Sequence, residues 1–301
     1  MKTLCFGSLN IDNVYQVPHF VSRGETLAAD ALHIFSGGKG LNQSIALSRA
    51  GLEVFHAGAV GTDGQFLLDE LREAGVDTQY VRILKNVKTG HAIIQKGEDG
   101  DNCILLFGGA NQQITRDQID ETLSHFSPGD LLVIQNEISE LAYLAARARS
   151  AGMKTALNPS PMHSTLLPLL PQVDYLILNE VEAAQFLQLE QAGDPEFMAK
   201  ELIRQFPNVT IILTVGKDGS IYAEGDQLIR QGAFSVKAVD TTAAGDTFTG
   251  FLLAGLLNGG DPAEAMKYAS AASAISVTRL GAAPSIPEKA EVLRFLQRRI
   301  G

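Results

Sequence analysis

The residues best suited to chemistry lie in the segment VDTTAAGDTFTGF, Val239–Phe251. Small residues, Ala243, Ala244 and Gly245, open an apolar helical stretch there, so the predicted helix start presents free backbone N–H groups and a positive dipole end. Such a terminus binds phosphate oxygens. Asp246 lies in the first turn, where a carboxylate is also typical of simple helix capping. Beside a phosphate site it could instead act as a general base toward an attacking hydroxyl, the pair that a kinase needs.

Two segments nearer the N-terminus contain side chains that suit a polyol. In GSLNIDNV, Asn10 and Asp12 are two residues apart, so an extended chain points both to one face. An amide beside a carboxylate suits paired hydroxyls, although an Asx-rich turn is the alternative. In SGGKGLNQS, Lys39 and Asn42 lie at the mouth of a predicted helix. The Walker A spacing is absent there, and plain chain reversal is the alternative.

Two further segments could contact a nucleotide and its metal ion. In LNEVEAAQF, Asn179 and Glu182 are three residues apart and would be neighbours on a helix. They could form a Mg²⁺ site reached through water, or simply an N-cap followed by an acidic first turn. TVGKDGS, Thr214–Ser220, could pass under a nucleotide or be only a turn. The glycines of GAVGTDGQF indicate a tight turn from a strand into a helix.

These segments need elements that position them, and the chain supplies an alternation of strands and helices. The predicted strands are Thr3–Gly7, Val54–Val60, Leu131–Gln135, Lys154–Leu157, Tyr175–Leu178 and Thr210–Thr214. The predicted helices are Phe66–Glu73, Leu141–Ala151, Phe197–Gln205, Ala243–Asn258, Pro262–Val277 and one from about 287 to 299. This alternation predicts βαβ units and a mainly parallel sheet buried on both faces.

Two regions break the alternation and predict a second, smaller sheet. Residues 12–35 contain strand-like residues without a helical period, and residues 89–107 form two strand-like runs around the turn GEDGDN. A small sheet over the carboxyl edge of the parallel sheet would form a lid, because open α/β sheets bind ligands at that edge. We therefore expect one kinase-sized domain, 1–301, with a lid built from about 12–35 and 89–107.

Composition excludes several classes of protein. The 301 residues have a net charge of −10, and no cluster of Lys and Arg suggests a nucleic-acid partner. Cys5 and Cys103 each lie in an apolar strand-like run, so we expect two buried free thiols and a reducing cytoplasm. No apolar run is long enough for a signal peptide or a membrane span.

Taken in order, the segments resemble the ribokinase-like, or PfkB, family of carbohydrate kinases. The resemblance rests on GSLNID, GGKGLNQS, GAVGTDGQF, LNPSP, NEVEA, TVGKDGS, DTTAAGDTFTG and AISVTRLGAAPSIP, and it runs from about Thr3 to Pro287. It implies a three-layer α/β fold with a mainly parallel central sheet and a small β lid, which often forms a homodimer. It also implies ATP, Mg²⁺ and a monovalent cation, usually K⁺.

The resemblance further implies a role for each matching position. Catalysis would use Asp246 as the base and the backbone amides of Ala243, Ala244 and Gly245 as an anion hole. The sugar would contact Asn10, Asp12, Gly38, Lys39, Asn42, Ala92, Glu137 and Asp246. The nucleotide would lie against Asn179, Thr214, Gly216, Gly219 and Ser270. Glu182 would reach Mg²⁺ through water, and K⁺ would be bound by Asp240, Thr242, Ser276, Arg279, Gly281 and Ser285.

The expected reaction is transfer of the γ-phosphoryl group of ATP to O5 of D-ribose. Asn42 and Glu137 match the ribose-specific form of the family motifs, whereas Ser44, His91 and Asn136 depart from the usual pattern. A kinase for deoxyribose, fructose or adenosine is therefore the alternative. A non-catalytic sugar-binding regulator is disfavoured because Asp246 is present. A dinucleotide-dependent oxidoreductase is disfavoured because no G-x-G-x-x-G follows the first strand.

Overall fold

The computed structural model describes residues 1–97 and 101–300, so part of the predicted turn GEDGDN lies outside the described residues. The strands, numbered along the chain, are β1 (Thr3–Phe6), β2 (Asn10–Gln16), β3 (Ala31–Gly37), β4 (Val54–Gly61), β5 (Asp77–Leu84), β6 (Gly90–Lys96), β7 (Asn102–Phe107), β8 (Leu131–Gln135), β9 (Lys154–Asn158), β10 (Tyr175–Asn179), β11 (Thr210–Thr214), β12 (Ser220–Glu224) and β13 (Gln227–Gln231). The helices are α1 (Lys39–Arg49), α2 (Gln65–Glu73), α3 (Arg116–Leu123), α4 (Leu141–Ser150), α5 (Glu180–Phe186), α6 (Pro195–Gln205), α7 (Ala244–Leu257), α8 (Pro262–Ser276) and α9 (Lys289–Ile300).

Nine strands form the large sheet, in the order β13-β12-β11-β10-β9-β8-β1-β4-β5. Neighbours are parallel from β5 through to β11, whereas β12 pairs antiparallel with both β11 and the edge strand β13. The parallel strands are apolar on both faces, as runs such as LLVI require when helices cover both sides.

Helices cover the large sheet on both faces. Leu132 and Ile134 of β8 pack into one buried cluster, which α3, α4, α5 and α6 complete. Leu131 and Val133 of the same strand pack into the opposite cluster with α1, α2, α7, α8 and α9. This alternation along one strand produces three layers and confirms the predicted α/β architecture with a mainly parallel sheet.

A second sheet of four strands has the order β3-β2-β6-β7. The β2–β3 and β6–β7 pairs are antiparallel, whereas β2 and β6 are parallel neighbours. Its strands come from the two regions that broke the alternation. Asp12 of β2 lies opposite Phe35 on one side and Ala92 on the other.

Cys103 corrects one expectation about the cysteines. Cys5 is buried in β1 as predicted, but Cys103 is exposed, so the prediction of a buried thiol there was wrong. All six residues of β7 are exposed because this strand forms one edge of the small sheet and no helix layer covers it.

The position of β1 explains where ligands can bind. It lies between β4 and β8, so the chain connections leave it in both directions along the sheet. At such a switch point the loops after the strands diverge and leave a crevice at the carboxyl edge. The ends of β1, β8, β10 and β11 lead into predicted site residues, including Asn10, Glu137, Glu182 and Gly216. Among the described residues, no helix has the length and apolar character needed to cross a membrane.

Candidate active site

The start of α7 forms an open anion site. Ala243 precedes the helix in the left-handed conformation, with φ of 58°, and no side chain caps the terminus. Ala244 N–H donates to Thr241 O, whereas the N–H groups of Gly245 and Asp246 have no partner in the described part of the chain. A methyl group on Gly245 would meet no atom within 4 Å. The unpaired amides therefore face a cavity of about 220 Å³ and can bind phosphate oxygens.

Asp246 is held at both carboxylate oxygens. Its side chain is 8% exposed. Asn42 Nδ2 donates to Oδ2 over 3.0 Å, and Gln43 Nε2 donates to Oδ1 over 2.9 Å. Both donors come from α1, which packs directly against α7. The carboxylate thus lies in a set orientation beside the open amides, as a general base requires.

Lys39 brings a positive charge into the same cavity. Burial alone lowers the pKa of Lys39, but the nearby charges of Asp246, Glu137 and Glu182 outweigh it and hold that pKa above its usual value. The ammonium group therefore stays protonated. It can neutralise negative charge that phosphate groups bring to the α7 terminus.

Two further carboxyl groups, those of Asp12 and Glu137, lie close enough for their charges to interact. Burial, and then the charge of Glu137, raise the pKa of Asp12 to about 6. Burial is also the largest cause that raises the pKa of Glu137. Glu137 Oε2 accepts from Ser8 Oγ and, over 3.1 Å, from the backbone N–H of Lys39. Its other oxygen has no hydrogen bond in the described residues, so it is free to accept from a sugar hydroxyl.

A cavity of about 190 Å³ adjoins Glu137. Its lining residues are Asn10, Leu106, Gly108, Asn111, Gln112, Asn136, Glu137 and Pro161. Asn10 Oδ1 accepts from Asn111 Nδ2 over 2.7 Å, which fixes the orientation of the Asn10 amide. Gly38 has φ of 95°, and a Cβ there would lie 2.9 Å from Ser8 O, so only glycine fits. Ala92 is buried beside Asp12 in the small sheet.

A larger cavity of about 510 Å³ lies on the other side of the α7 terminus. Four of the predicted nucleotide residues line it: Thr214, Gly216, Gly219 and Ser270. Sequence reasoning missed its apolar wall, which includes Phe234, Val236 and Phe248. The cavity shares Thr214, Thr241, Ala244 and Gly245 with the anion cavity, so a base and a phosphate chain could occupy the two together.

Asn179 and Glu182 form a capping box at the start of α5. Asn179 Oδ1 accepts from Glu182 N over 2.9 Å, and Glu182 Oε2 accepts from Asn179 N over 3.0 Å. The pair therefore forms the N-cap and acidic first turn that the sequence offered as the alternative to a Mg²⁺ site. Both residues also line the anion cavity, and Asn179 does not line the larger one. In residues 1–97 and 101–300, no group of three or more His, Cys, Asp or Glu could hold a metal ion.

The predicted cation residues lie on two loops that touch. Asp240 Oδ1 accepts from the backbone N–H and the hydroxyl of Thr242, and Oδ2 accepts from Gly281 N over 3.0 Å. Burial opposes ionisation of Asp240, but these hydrogen bonds outweigh it and lower its pKa. Ser276 Oγ and Ser285 Oγ are 2.8 Å apart. The Arg279 side chain pairs with Glu291. Because a guanidinium group has no oxygen, only the backbone carbonyl of Arg279 could be a cation ligand.

Sequence reasoning missed several polar residues that support the site. They are Ser8, Gln43, Asn111, Gln135 and Asn158. Position could have indicated two of them, because Ser8 and Asn158 directly follow the carboxyl ends of predicted strands. Gln43 follows Asn42 directly, and the helical pattern alone does not indicate that both amides reach one carboxylate.

Comparison with known proteins agrees with this geometry. The profile of the family described as pfkB family carbohydrate kinase matches residues 1–289. A ribokinase of Haemophilus influenzae is 35% identical over 303 residues, which covers 98% of this chain and 99% of that protein.

Solved structures give the same result. Ribokinase of Arabidopsis thaliana, complexed with ribose and ATP, superposes with a TM-score of 0.89 at 28% identity, covering 98% of each chain. Ribokinase of Cryptococcus neoformans, in complex with ADP, has a TM-score of 0.85 at 32% identity, covering 97% of this chain and 98% of that one. The predicted ribokinase-like fold is confirmed, and the chain belongs to the pfkB family of carbohydrate kinases.

Proposed function

We propose that the protein is an ATP-dependent kinase that converts D-ribose to ribose 5-phosphate. One observation carries the proposal: the carboxylate of Asp246 shares a cavity with the open amides of α7, and its charge and that of Glu137 act on each other and on Lys39. A base between a phosphate site and a polyol site is the arrangement that phosphoryl transfer to a hydroxyl needs. The similar ribokinases, including one complexed with ribose and ATP, support ribose as the polyol.

In this mechanism, Asp246 takes the proton from O5–H as O5 forms a bond to the γ-phosphorus. The bond from that phosphorus to the β,γ-bridging oxygen breaks, and its electron pair leaves with ADP. The unpaired amides of Gly245 and Asp246, in the turn that Ala243 and Ala244 open, would stabilise charge on the transferring group, and the Lys39 ammonium would add to this. Asp12, Glu137, Asn10 and Asn42 would orient the sugar, with Gly38 and Ala92 against it.

Metal ions would act around these residues. Glu182 has one carboxylate oxygen outside the capping box, so it could accept a hydrogen bond from a water on Mg²⁺ beside Asn179. A Mg²⁺ ion held there would supply positive charge against the phosphates. The oxygens of Asp240, Thr242, Ser276, Gly281 and Ser285, with the Arg279 carbonyl, are hard ligands that suit K⁺. A cation there would order the loop before α7.

The small sheet would act as the lid over the sugar, and we propose that it also pairs two subunits. Apolar side chains are exposed on both of its faces, including Ile34 and Leu105 on one and Phe35 and Leu106 on the other. One sugar pocket can cover only one face, so a second copy of the chain would cover the rest. Light scattering should then give twice the chain mass, and Leu105→Lys should give the mass of a single chain.

We further infer a cytoplasmic protein whose partners are small molecules. Cys5 and Cys103 are free thiols, and a reducing compartment keeps an exposed thiol such as Cys103 in that form. The net charge of −10 disfavours binding to the phosphate backbone of nucleic acids.

The proposal is tested by coupled ADP release with ATP and Mg²⁺ against ribose, deoxyribose, fructose and adenosine, with and without K⁺. We expect ribose turnover that K⁺ stimulates. Turnover on another sugar would retain the mechanism and change the substrate. Asn136, which lines the sugar-side cavity, and His91, whose ring contacts that of Phe107 at a tilt, would then be the first residues to exchange. No turnover with any sugar, together with sugar binding by calorimetry, would contradict the kinase and favour a regulator.

A further inference from the structure

Three amide side chains form a hydrogen-bonded chain that connects Asp246 to the main chain of the large sheet. They are Gln43 on α1, Gln135 at the end of β8 and Asn158 at the end of β9. Gln43 and Gln135 are fully buried, and Gln135 and Asn158 are partners in the strand register. Because Gln43 has no exposed surface, it cannot touch a substrate directly.

The donor and the acceptor in each hydrogen bond of this chain can be assigned by starting from its Ile177 end. The carbonyl of Ile177 in β10 can only accept, so the Asn158 atom 2.9 Å away is Nδ2, and Asn158 Oδ1 is left as an acceptor. The Gln43 atom that contacts Asn158 Oδ1, at 3.3 Å, must then be Nε2. The same Nε2 lies 2.9 Å from Asp246 Oδ1, which as a carboxylate oxygen also only accepts.

Gln135 fixes the other end of the Gln43 amide. With Nε2 facing Asp246, Gln43 presents Oε1 to the opposite side, where Gln135 Nε2 donates to it over 2.7 Å. A flipped Gln43 would place Oε1 against both Asp246 and Asn158, and two N–H groups against each other at Gln135. The contacts with Asp246 and Asn158 would become repulsive whichever way the Gln135 amide is turned, so Gln43 keeps its donor toward Asp246.

A fixed donor matters for a general base because small displacements of a catalytic group are costly. A misplacement of about 1 Å can reduce turnover by about 10²-fold. Asn42 donates to Oδ2 of Asp246, and Gln43 donates to Oδ1. The carboxylate plane is therefore set by one donor on each oxygen, and the remaining lone pairs can face a hydroxyl.

We propose that Gln43 is a positioning residue for Asp246, and that Asn158 and Gln135 fix the direction in which Gln43 donates. The inference rests on the proposed function, in which Asp246 is the general base. The charged groups around Asp246 are Lys39 and Glu137, whose side chains the amide chain does not contact.

The test compares variants that keep the volume of Gln43 and remove its donor. In Gln43→Met we expect kcat to fall by at least ~10-fold, with the dissociation constant for the sugar changed by less than ~3-fold. The acidic limb of the kcat–pH profile should move to higher pH, because a carboxylate that loses a donor binds its proton more tightly. Gln43→Glu should lose at least as much turnover, since it places a second carboxyl group against Asp246.

A matched control separates this role from packing. Gln118 on α3 is also a buried glutamine whose Nε2 donates to one acceptor, Gly58 O, over 2.8 Å, and it lies outside the cavities. Gln118→Met should lower thermal stability to a similar degree, yet leave kcat per folded molecule and the pH profile unchanged.

A double variant tests the order of the chain. Gln135→Met should also lower kcat, and Gln43→Met/Gln135→Met should lower it no further than Gln43→Met alone, because Gln135 acts only through Gln43. Normal kcat with an unmoved acidic limb in folded Gln43→Met would overturn the proposal. An inactive wild-type protein would instead contradict the proposed function itself, so the two failures are distinguishable.

Discussion

The two oxygens of Asp246 each accept one amide N–H, and neither is paired with a cation in a salt bridge. Replacement by asparagine would retain the size of the side chain but remove its capacity to take a proton. We expect Asp246→Asn to bind the sugar within a few-fold of wild type and to lose about 10²–10⁴-fold in kcat. Calorimetry and coupled ADP release measure the two quantities.

Asp226 provides the matched control for that variant. It is an exposed aspartate in the turn between β12 and β13, outside the cavities. Asp226→Asn should leave both sugar binding and kcat unchanged. Near-normal turnover in Asp246→Asn would remove Asp246 from the role of base.

The pKa of Asp12 makes sugar binding depend on pH. Burial and the charge of Glu137 raise that pKa to about 6, and only the ionised form can accept two sugar hydroxyls. As pH falls through about 6, Asp12 gains a proton and affinity declines, reaching about tenfold per pH unit well below 6. Calorimetric titration without ATP between pH 5 and pH 8 measures this. Asp12→Asn should bind more weakly at pH 8 and shift the decline to lower pH, whereas an unchanged profile would exclude Asp12.

Some of these residues could be predicted from sequence and others could not, for a physical reason. Polar or small residues that interrupt apolar elements could be recognised in the sequence, and they include Asn10, Asp12, Lys39, Asn42, Asp246 and the glycines. Gln43, Gln135 and Asn158 gave no such signal. Their importance depends on which amide meets which across three strands and a helix, and one-dimensional spacing does not contain that information.

Two glycines of α7, Gly245 and Gly250, have different structural roles. A Cβ on Gly250 would lie 2.4 Å from Ala46 Cβ, so Gly250 lets α7 approach α1, which carries Asn42 and Gln43. Gly245 faces the open cavity and its Cβ would meet nothing within 4 Å. One glycine therefore serves helix packing, and the other keeps the phosphate space empty.

Substitutions at the two glycines should distinguish the role in phosphate binding from the role in helix packing. Gly245→Val should raise the KM for ATP and lower kcat by about 10-fold or more with little change in Tm, because its side chain occupies the anion site. Gly250→Ala should destabilise the fold by about 1–3 kcal/mol through overpacking. Thermal melts and ATP titrations distinguish them. A large loss of Tm in Gly245→Val, with normal ATP affinity in the folded fraction, would contradict the anion-site role.

Among the elements, the buried parallel strands were the most predictable. β8 and β11 have the predicted bounds, and β1, β4, β9 and β10 differ by one residue at an end. The sequence did not indicate β5 and β13, because these edge strands are covered on fewer sides and carry mixed polar and apolar residues. It also did not indicate β12, a short strand between β11 and β13. The same reason explains Cys103, since an apolar run predicts burial only where a second layer covers it.

At the scale of the whole molecule, folding buries one imidazole, and this burial makes the stability of the fold depend on pH. His56 on β4 is fully buried, with Nδ1 2.7 Å from Ser44 Oγ on α1. Burial lowers the pKa of His56 to about 4, against 6.5 for an exposed imidazole. The unfolded chain therefore binds a proton on His56 between pH 6.5 and 4 that the folded chain does not.

Stability should consequently fall as pH decreases across that window. The sign follows because the unfolded state binds more protons there, and the loss by pH 4 amounts to about 3 kcal/mol. The double variant Ser44→Ala/His56→Leu removes both partners, so no hydroxyl is left unpaired. Urea unfolding at pH 7 and pH 4.5 should show a smaller decrease in unfolding free energy for this variant than for wild type.

Asp12, whose raised pKa acts in the opposite direction, is present in both proteins and cancels from the difference. The exposed His163, changed to glutamine, should leave the wild-type decrease intact, and an equal decrease in all three proteins would mean that His56 does not govern acid unfolding.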